Sequence, residues 1–372
     1  MTGAPSAGAE EKQTSNAIIT QRQPCRLWEM LVAQLVSPRT FQFCDTPIPD
    51  PGPGEIQAAV KTVGICGSDL HNFSEGAIGD AKAVYPMVLG HEPIGTVLRA
   101  GAGVSGFDRG ATVALEPAIY CYHCEFCRSG HHNVCANLRF LSSTADPGFF
   151  REVVNLPVAN VLPLPPEIGM NEGTLHEPLA VVLHSLTLAR PELGETALVV
   201  GAGPIGLLTI AVLKLAGIRR LWVSEPLSHR RDLARAVGAD VSIDPNEAEV
   251  AQAVMKDTGR RGVDMVFDCV AKDDTVNQSL HAARNAGRVI ITGIPSEIRV
   301  PVEYHTLRRK ELAFLSVRRS NHDSDNALNL LAEYPERFAP IVTHARPLAE
   351  IQAAFELLER GRHDAGKVVL TI

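Results

Sequence analysis

The sequence predicts an α/β protein: a parallel sheet interleaved with helices, joined to a mainly β portion. Three observations predict it. Short alternating runs broken by Gly/Pro turns fill the first ~150 residues, as in a small barrel. After about residue 175, β-type runs alternate with helical patterns, the signature of a parallel sheet. And a chain of 372 residues exceeds a usual single core, which favours two domains.

The elements follow in order. Leu31–Val36 and Thr40–Cys44 read as short strands, and Pro47-Ile-Pro-Asp-Pro-Gly-Pro-Gly54 as a dense turn. Glu55–Val63, His91–Ala100 and Ala111–Leu115 are three further strands. His176–Leu188 has helical spacing through Leu179, Val182, Leu183 and Leu186. Next come strand Ala197–Val200, helix Ile205–Ala216, strand Arg220–Ser224, helix His229–Val237 and strand Val241–Ile243. Helix Ala248–Asp257 precedes strand Val263–Cys269, and a helix over Asp274–Ala286 leads to strand Arg288–Thr292. A helix over Leu348–Arg360 and a strand over Lys367–Ile372 end the pattern.

Composition excludes several functions. A net charge of −7 argues against nucleic acid, whose partners carry a basic excess. No run approaches the ~18 apolar residues that cross a bilayer. Met1–Asn16 lacks the basic start and apolar run of a secretory signal, and it reads as a poorly ordered tail of a cytoplasmic protein. In that compartment four cysteines within fifteen residues, out of eight, indicate metal rather than disulfides.

Two segments fit G-x-G-x-x-G, and context separates them. Gly201-Ala-Gly203-Pro204-Ile205-Gly206 follows an apolar strand and opens an apolar helix, whose N-terminus can receive a pyrophosphate. Gly101-Ala-Gly103-Val-Ser-Gly106 sits between two strands and reads as a plain turn. At the first, Gly201 permits the tight turn, Gly203 lets backbone approach phosphate, and Gly206 allows close helix–strand packing. Glu225 closes the next strand, where a carboxylate binds ribose hydroxyls and repels a 2′-phosphate. That favours NAD over NADP. Arg230 and Arg231 weigh the other way, because an arginine pair also accommodates a 2′-phosphate.

Cys121, Cys124, Cys127 and Cys135 supply four thiolates, a closed tetrahedral shell for a structural zinc. His123, His131 and His132 are the competing ligands there, and four cysteines need no help. A second donor set lies in Gly64-Ile-Cys66-Gly-Ser68-Asp69-Leu-His71 and Gly90-His91-Glu92-Pro-Ile-Gly95, with Glu177 further on. A catalytic zinc needs about three protein ligands and an open position, where it lowers the pKa of a bound hydroxyl. Cys66 and His91 offer thiolate and imidazole; Glu92 and Glu177 are the candidate carboxylates.

With these motifs in this order, the chain from about residue 30 onward resembles the zinc-containing medium-chain dehydrogenase/reductase family, within it the sorbitol/polyol branch. The resemblance implies a GroES-like catalytic domain (30–180, with the zinc lobe at 121–135) after a tail (1–29). A Rossmann domain (181–318) is inserted before a C-terminal segment (319–372) that completes the catalytic domain. It implies two zinc ions per chain, NAD as cofactor, a small alcohol or polyol as substrate, and a homodimer or homotetramer. Cys66 and His91 match the family's zinc ligands, and Glu92 the carboxylate that can bind metal in the polyol branch. Glu177 stands where the alcohol dehydrogenase branch has a second cysteine, so the third ligand is Glu92 or Glu177. Ser68 and His71 match a proton relay from the alcohol through a cofactor ribose to solvent. Asp69 matches the carboxylate orienting His91, and Arg318 resembles an arginine reaching the substrate or cofactor side of the cleft.

The reaction expected is NAD-linked interconversion of a secondary alcohol, a polyol or 1,2-diol, with its ketone. The alternatives are a threonine- or butanediol-type dehydrogenase, and a zinc-stabilised binding protein without chemistry. Trp28 and Trp222 are expected to pack, His184 to be a hydrogen-bonded core histidine, and Cys25, Cys44 and Cys269 to be ordinary side chains. Phe149 and Phe150 are expected either to line the substrate cleft or to sit in a surface turn.

Overall fold

Two large sheets organise the computed structural model, which describes residues 28–361 and 364–372. Cys25 and all but the end of the expected tail lie outside the described residues. The first sheet is mixed, in the order Val161–Pro163, Thr112–Leu115, Glu92–Ala100, Glu55–Gly64, Lys367–Thr371, Val342–Pro347, with Val153–Pro157 also paired to Glu55–Gly64. The second is wholly parallel, in the order Val241–Ile243, Arg220–Ser224, Thr196–Val200, Val263–Asp268, Ala283–Ile291, Ala313–Ser316. Numbered along the chain, those six strands run 3-2-1-4-5-6, the doubly wound Rossmann order.

The chain leaves the mixed sheet, builds the parallel one and returns. Lys367–Thr371 inserts antiparallel to Glu55–Gly64, pairing Val369 with Gly64 and Leu370 with Val63. The parallel sheet is thus inserted into the β portion, as expected.

Sequence explains both the central strand and its cover. Thr196–Val200 is buried at every position, so it reads TALVV without polar alternation, as strands covered on both faces do. Helices His176–Ala189 and Pro204–Leu215 pack over it through Leu179, Val182, Leu207 and Ile210. Each such side chain, fully buried, contributes about 1.5–3 kcal/mol. Pro204 sits in the first turn of its helix, where a missing N–H costs nothing and φ is preset.

Three expectations are corrected. The helix expected to reach Ala286 ends at Ala282, because Ala283 already pairs with Val263 in the parallel sheet. Phe149 and Phe150 line neither a cleft nor a surface turn: both are fully buried in the β-portion core, with their N–H groups donating to Gly90 O and Leu89 O. Trp28 is 81% exposed and does not pack, whereas Trp222 is buried. No helix among the described residues is long and apolar enough to cross a membrane.

Candidate functional site

The segment carrying Cys66 is a helix start. Gly67–Ser74 is an eight-residue helix capped by Cys66, and Asp69 Oδ2 accepts from the Cys66 N–H at 3.1 Å. A residue at the third helical position reaching back to the cap is a capping-box arrangement. Asp69 has a second task through its other oxygen. Buried, its Oδ1 accepts from Gly90 N and Ser142 Oγ, each at 3.2 Å, and lies 3.4 Å from His91 Nδ1. Burial alone would raise this carboxyl's pKa, but His91 and the two backbone amides outweigh it and hold it low.

His91 is thereby turned with Nε2 toward the helix, 3.5 Å from Ser68 Oγ. Burial works to lower its pKa; the Asp69 and Cys66 anions on either side raise it well above the ordinary histidine value. A cation belongs at such a point, as a proton or as a metal that displaces it.

One ligand atom from each of Cys66, His91 and Glu92 lies within 4.8 Å of the others. Glu92 is fully buried, and no donor among the described residues reaches its Oε1. Its Oε2 meets Lys367 Nζ, and Lys367 also donates to Ile65 O at 3.0 Å. Glycine at position 64 makes this possible: a Cβ there would collide with Glu92 Oε2 and stand 2.8 Å from Lys367 Cε. Thiolate, imidazole and carboxylate facing one point form the donor set of an open catalytic zinc.

Glu177 stands outside that trio, in the first turn of His176–Ala189. Burial pushes its carboxyl up to about 7, with His91 lowering it and Glu92 raising it. His176 Nδ1 donates to Gly173 O (2.9 Å), and burial pushes the ring's pKa down to about 4. His71 lies half-buried one turn beyond Ser68, its Nδ1 3.2 Å from Glu75 Oε1.

The four cysteines converge. Sγ separations are 3.4 Å for Cys121–Cys135, 3.9 Å for Cys124–Cys135 and 4.0 Å for Cys121–Cys127. A tetrahedron with Zn–S near 2.3 Å has edges of about 3.8 Å, so the set fits zinc. Backbone N–H groups of Cys121, Cys124, Cys127 and Asn137 point at the sulfurs at 3.4–3.5 Å. The amide of His123, then Asn137, lowers the Cys121 thiol to about 5. The neighbouring histidines are engaged elsewhere: His123 with Cys121 O, His131 with Ser129 Oγ, and His132 in ring contact with His322.

This lobe also grips a distant segment. Asn133 Nδ2 donates to Arg318 O (2.9 Å), Asn321 Oδ1 accepts from His132 N (2.9 Å) and Asn321 Nδ2 donates to Gly130 O (2.8 Å). Arg318 itself is exposed; the partly buried arginine is its neighbour Arg319, whose guanidinium carbon lies 3.8 Å from the Phe140 ring centroid. The Phe140 ring faces His91 at 5.4 Å. His184, as expected, is hydrogen-bonded, Nε2 lying 3.3 Å from Asn133 Nδ2.

At the glycine loop, Gly201 has φ +88°, and a Cβ on Gly206 would strike Gly201 O, while Gly203 opens on free space. Pro204 and Ile205 start the helix over that opening. Buried Glu225 backs the loop: Oε2 accepts from Ala202 N at 2.8 Å and Oε1 from Leu227 N at 3.0 Å. Arg231 is taken up by Asp244 (2.8 Å) and by the carbonyls of Glu225 and Pro226. Arg230 Nε has no hydrogen-bond partner among the described residues. The second G-x-G-x-x-G segment lies in the turn between Glu92–Ala100 and Thr112–Leu115, with no helix after it.

Sequence reasoning missed Lys367, Asn133, Asn321, Phe140 and Arg319. A lone lysine in the run Lys367–Thr371 signals nothing until the strand's neighbours are known.

Known proteins resemble this chain in sequence and in fold. Residues 52–166 match the alcohol dehydrogenase GroES-like domain and residues 204–333 the zinc-binding dehydrogenase family. Sorbitol dehydrogenase of Gallus gallus is 33% identical over 85% of this chain and 89% of its own length. L-threonine 3-dehydrogenase of Pyrococcus horikoshii is 34% identical over 89% of this chain and 95% of its own. The crystal structure of L-idonate 5-dehydrogenase from Escherichia coli superposes with a TM-score of 0.85 at 26% identity, covering 92% of this chain and 98% of that one.

Proposed function

The chain belongs to the zinc-containing medium-chain dehydrogenase/reductase family, in its polyol branch, and from that premise we propose its reaction. It is a zinc-dependent, nicotinamide-dependent oxidoreductase; the proposed step moves hydride from a secondary carbon of a polyol or 1,2-diol to NAD, leaving the ketone. The observation that carries this reading is the convergence of Cys66, His91 and Glu92 beside Ser68.

Zinc held by Cys66, His91 and Glu92 would supply Lewis-acid polarisation of the alcohol oxygen. The chain's own groups do the rest. Asp69 fixes the His91 ring through Nδ1, so Nε2 is presented to the site. Ser68 Oγ, beside that Nε2, accepts the hydroxyl proton as it hands its own on toward His71, which lies on the same helix beside Glu75 and releases a proton to solvent. Glu177 is the second carboxylate at the metal side, available when Glu92 stays with Lys367.

NAD is the cofactor supported by Glu225, whose buried carboxylate lies at the loop a ribose would meet. Arg231 is already paired with Asp244, which removes half of the arginine pair a 2′-phosphate would need.

Elemental analysis beside NAD reduction on sorbitol, xylitol, 2,3-butanediol and threonine tests the reading. About two zinc per chain with NADH from a polyol or diol is expected. Turnover of threonine alone would move the substrate to that alternative. About one zinc and no NADH from any alcohol would overturn the reaction.

A further inference from the structure

Arg319 has no part in the reaction described so far. Its backbone is left-handed, φ +52°, an unusual state for a non-glycine residue and one that clusters at functional sites. The segment is pinned on both sides by the four-cysteine lobe, through Asn133 to Arg318 O and through Asn321 to Gly130 O and His132 N. The guanidinium is laid over Phe140, and the same ring faces His91. Arg319 Cζ is therefore no farther from the His91 ring than 3.8 Å and 5.4 Å taken together.

No carboxylate among the described residues forms an ion pair with Arg319, and no acceptor hydrogen-bonds its side chain. Burial, then the neighbouring Arg318, lowers its pKa to about 10, while Glu177 and Tyr120 act in the opposite sense. The side chain is partly buried, so holding its charge without a partner forgoes some solvation. Here the cost is accompanied by pre-organisation: ring below, backbone pinned, five N–H donors left free. A planar fork of that kind matches carboxylate and phosphate oxygens two at a time.

We infer that Arg319 receives an anionic group of the substrate, so that the alcohol oxidised beside Cys66, His91 and Glu92 is an acidic one bearing a carboxylate or a phosphate. The inference rests on the dehydrogenase reading above and sharpens its substrate class: a sugar acid or a polyol phosphate in place of a neutral polyol. Arg319 is a specificity residue. It binds the far end of the substrate while the reacting hydroxyl meets the metal ligands.

The test compares wild type, Arg319→Leu and Arg319→Lys, as zinc-loaded protein with NAD, on gluconate, sorbitol 6-phosphate and sorbitol. Wild type should prefer one acidic substrate, and which one identifies the group as carboxylate or phosphate. The ratio of kcat/KM for that acid to kcat/KM for sorbitol should fall about ten- to a hundredfold in Arg319→Leu, mostly through KM. Arg319→Lys, which keeps the charge and loses the fork, should recover part of it. A ratio unchanged by Arg319→Leu overturns the inference, as does a wild type that favours sorbitol. A loss expressed in the KM for NAD would assign Arg319 to the cofactor and overturn it too. Absence of NADH from every alcohol would sink the reaction and not this site; calorimetric titration of gluconate and sorbitol 6-phosphate into the NADH complex then decides. Binding weakened at least tenfold in Arg319→Leu sustains the inference, and no binding of either acid to wild type overturns it.

Discussion

Lys367 and Glu92 form a fully buried ion pair between the last strand of the mixed sheet and the strand that follows His91. The amine is further held by Ile65 O, one residue before Cys66, and Gly64 leaves the space the pair occupies. Glu92 thus stands between the Lys367 amine and the proposed metal position beside Cys66 and His91. The balance between them sets how much of its charge is given to the metal.

Lys367→Met should leave Glu92 buried without its counter-charge. Breaking one side of a buried pair costs about 3–5 kcal/mol, to be read as a lower urea midpoint at unchanged slope. Adding Glu92→Gln in the Lys367→Met background should recover part of the loss. If the two substitutions simply add, the pair is not energetically coupled.

The third metal ligand can be separated by two variants. Glu92→Gln should lower the metal content from about two toward one per chain, whereas Glu177→Gln should leave it near two and reduce turnover. The reverse pattern in elemental analysis would assign the ligand to Glu177.

Cys124→Ser should empty the four-cysteine lobe while sparing the Cys66 site. Because Asn133 and Asn321 tie that lobe to residues 318–321, amide hydrogen exchange there should quicken together with exchange in 121–135. Faster exchange confined to the lobe would show that the tie carries no restraint.

Glu225→Ala should raise KM for NAD and narrow the preference over NADP, because the carboxylate that repels a 2′-phosphate is gone. Wild-type discrimination in the variant would remove Glu225 from cofactor choice.

Asp264 gives a pH prediction. Burial favours its neutral form, but hydrogen bonds from Arg261 (2.6 Å), Arg284 (2.7 Å) and Thr196 (2.8 Å) outweigh that and hold its pKa well below the usual carboxylate range. A depressed folded pKa contributes stability above the unfolded value, and that contribution is lost as pH falls through the folded one. Asp264→Asn should therefore cost about 1.5–3 kcal/mol near pH 7, less what solvent screens at half-exposed Arg261. Below about pH 4 the gap to wild type should narrow in acid-titrated thermal melts.

The parallel sheet was legible because its signals are local. Strands such as Arg220–Ser224 and Val241–Ile243 are short apolar runs between helices, and context alone separated the two glycine motifs. The Gly67–Ser74 helix was not read, since eight mostly polar residues show no apolar stripe; the Cys66–Asp69 spacing was its only signal. Lys367, Asn133, Asn321 and Arg319 were out of reach for another reason. Their partners lie across the fold, and pattern along the chain carries nothing about pairing between sheets and loops. Arg318 drew attention by its position, yet the side chain held against Phe140 is the next one.

The place of Lys367 also dates the site within the life of a polypeptide. A chain emerging from the ribosome presents Cys66, His91 and Glu92 long before the residue that neutralises Glu92, and the 62–64 stretch of its partner strand stays unpaired on that side until Lys367–Thr371 arrives. The four cysteines of the lobe, by contrast, lie within fifteen residues of one another along the chain. The counter-charge of Glu92 is therefore supplied by the strand that closes this side of Glu55–Gly64, and the ion pair cannot form before that strand is in place.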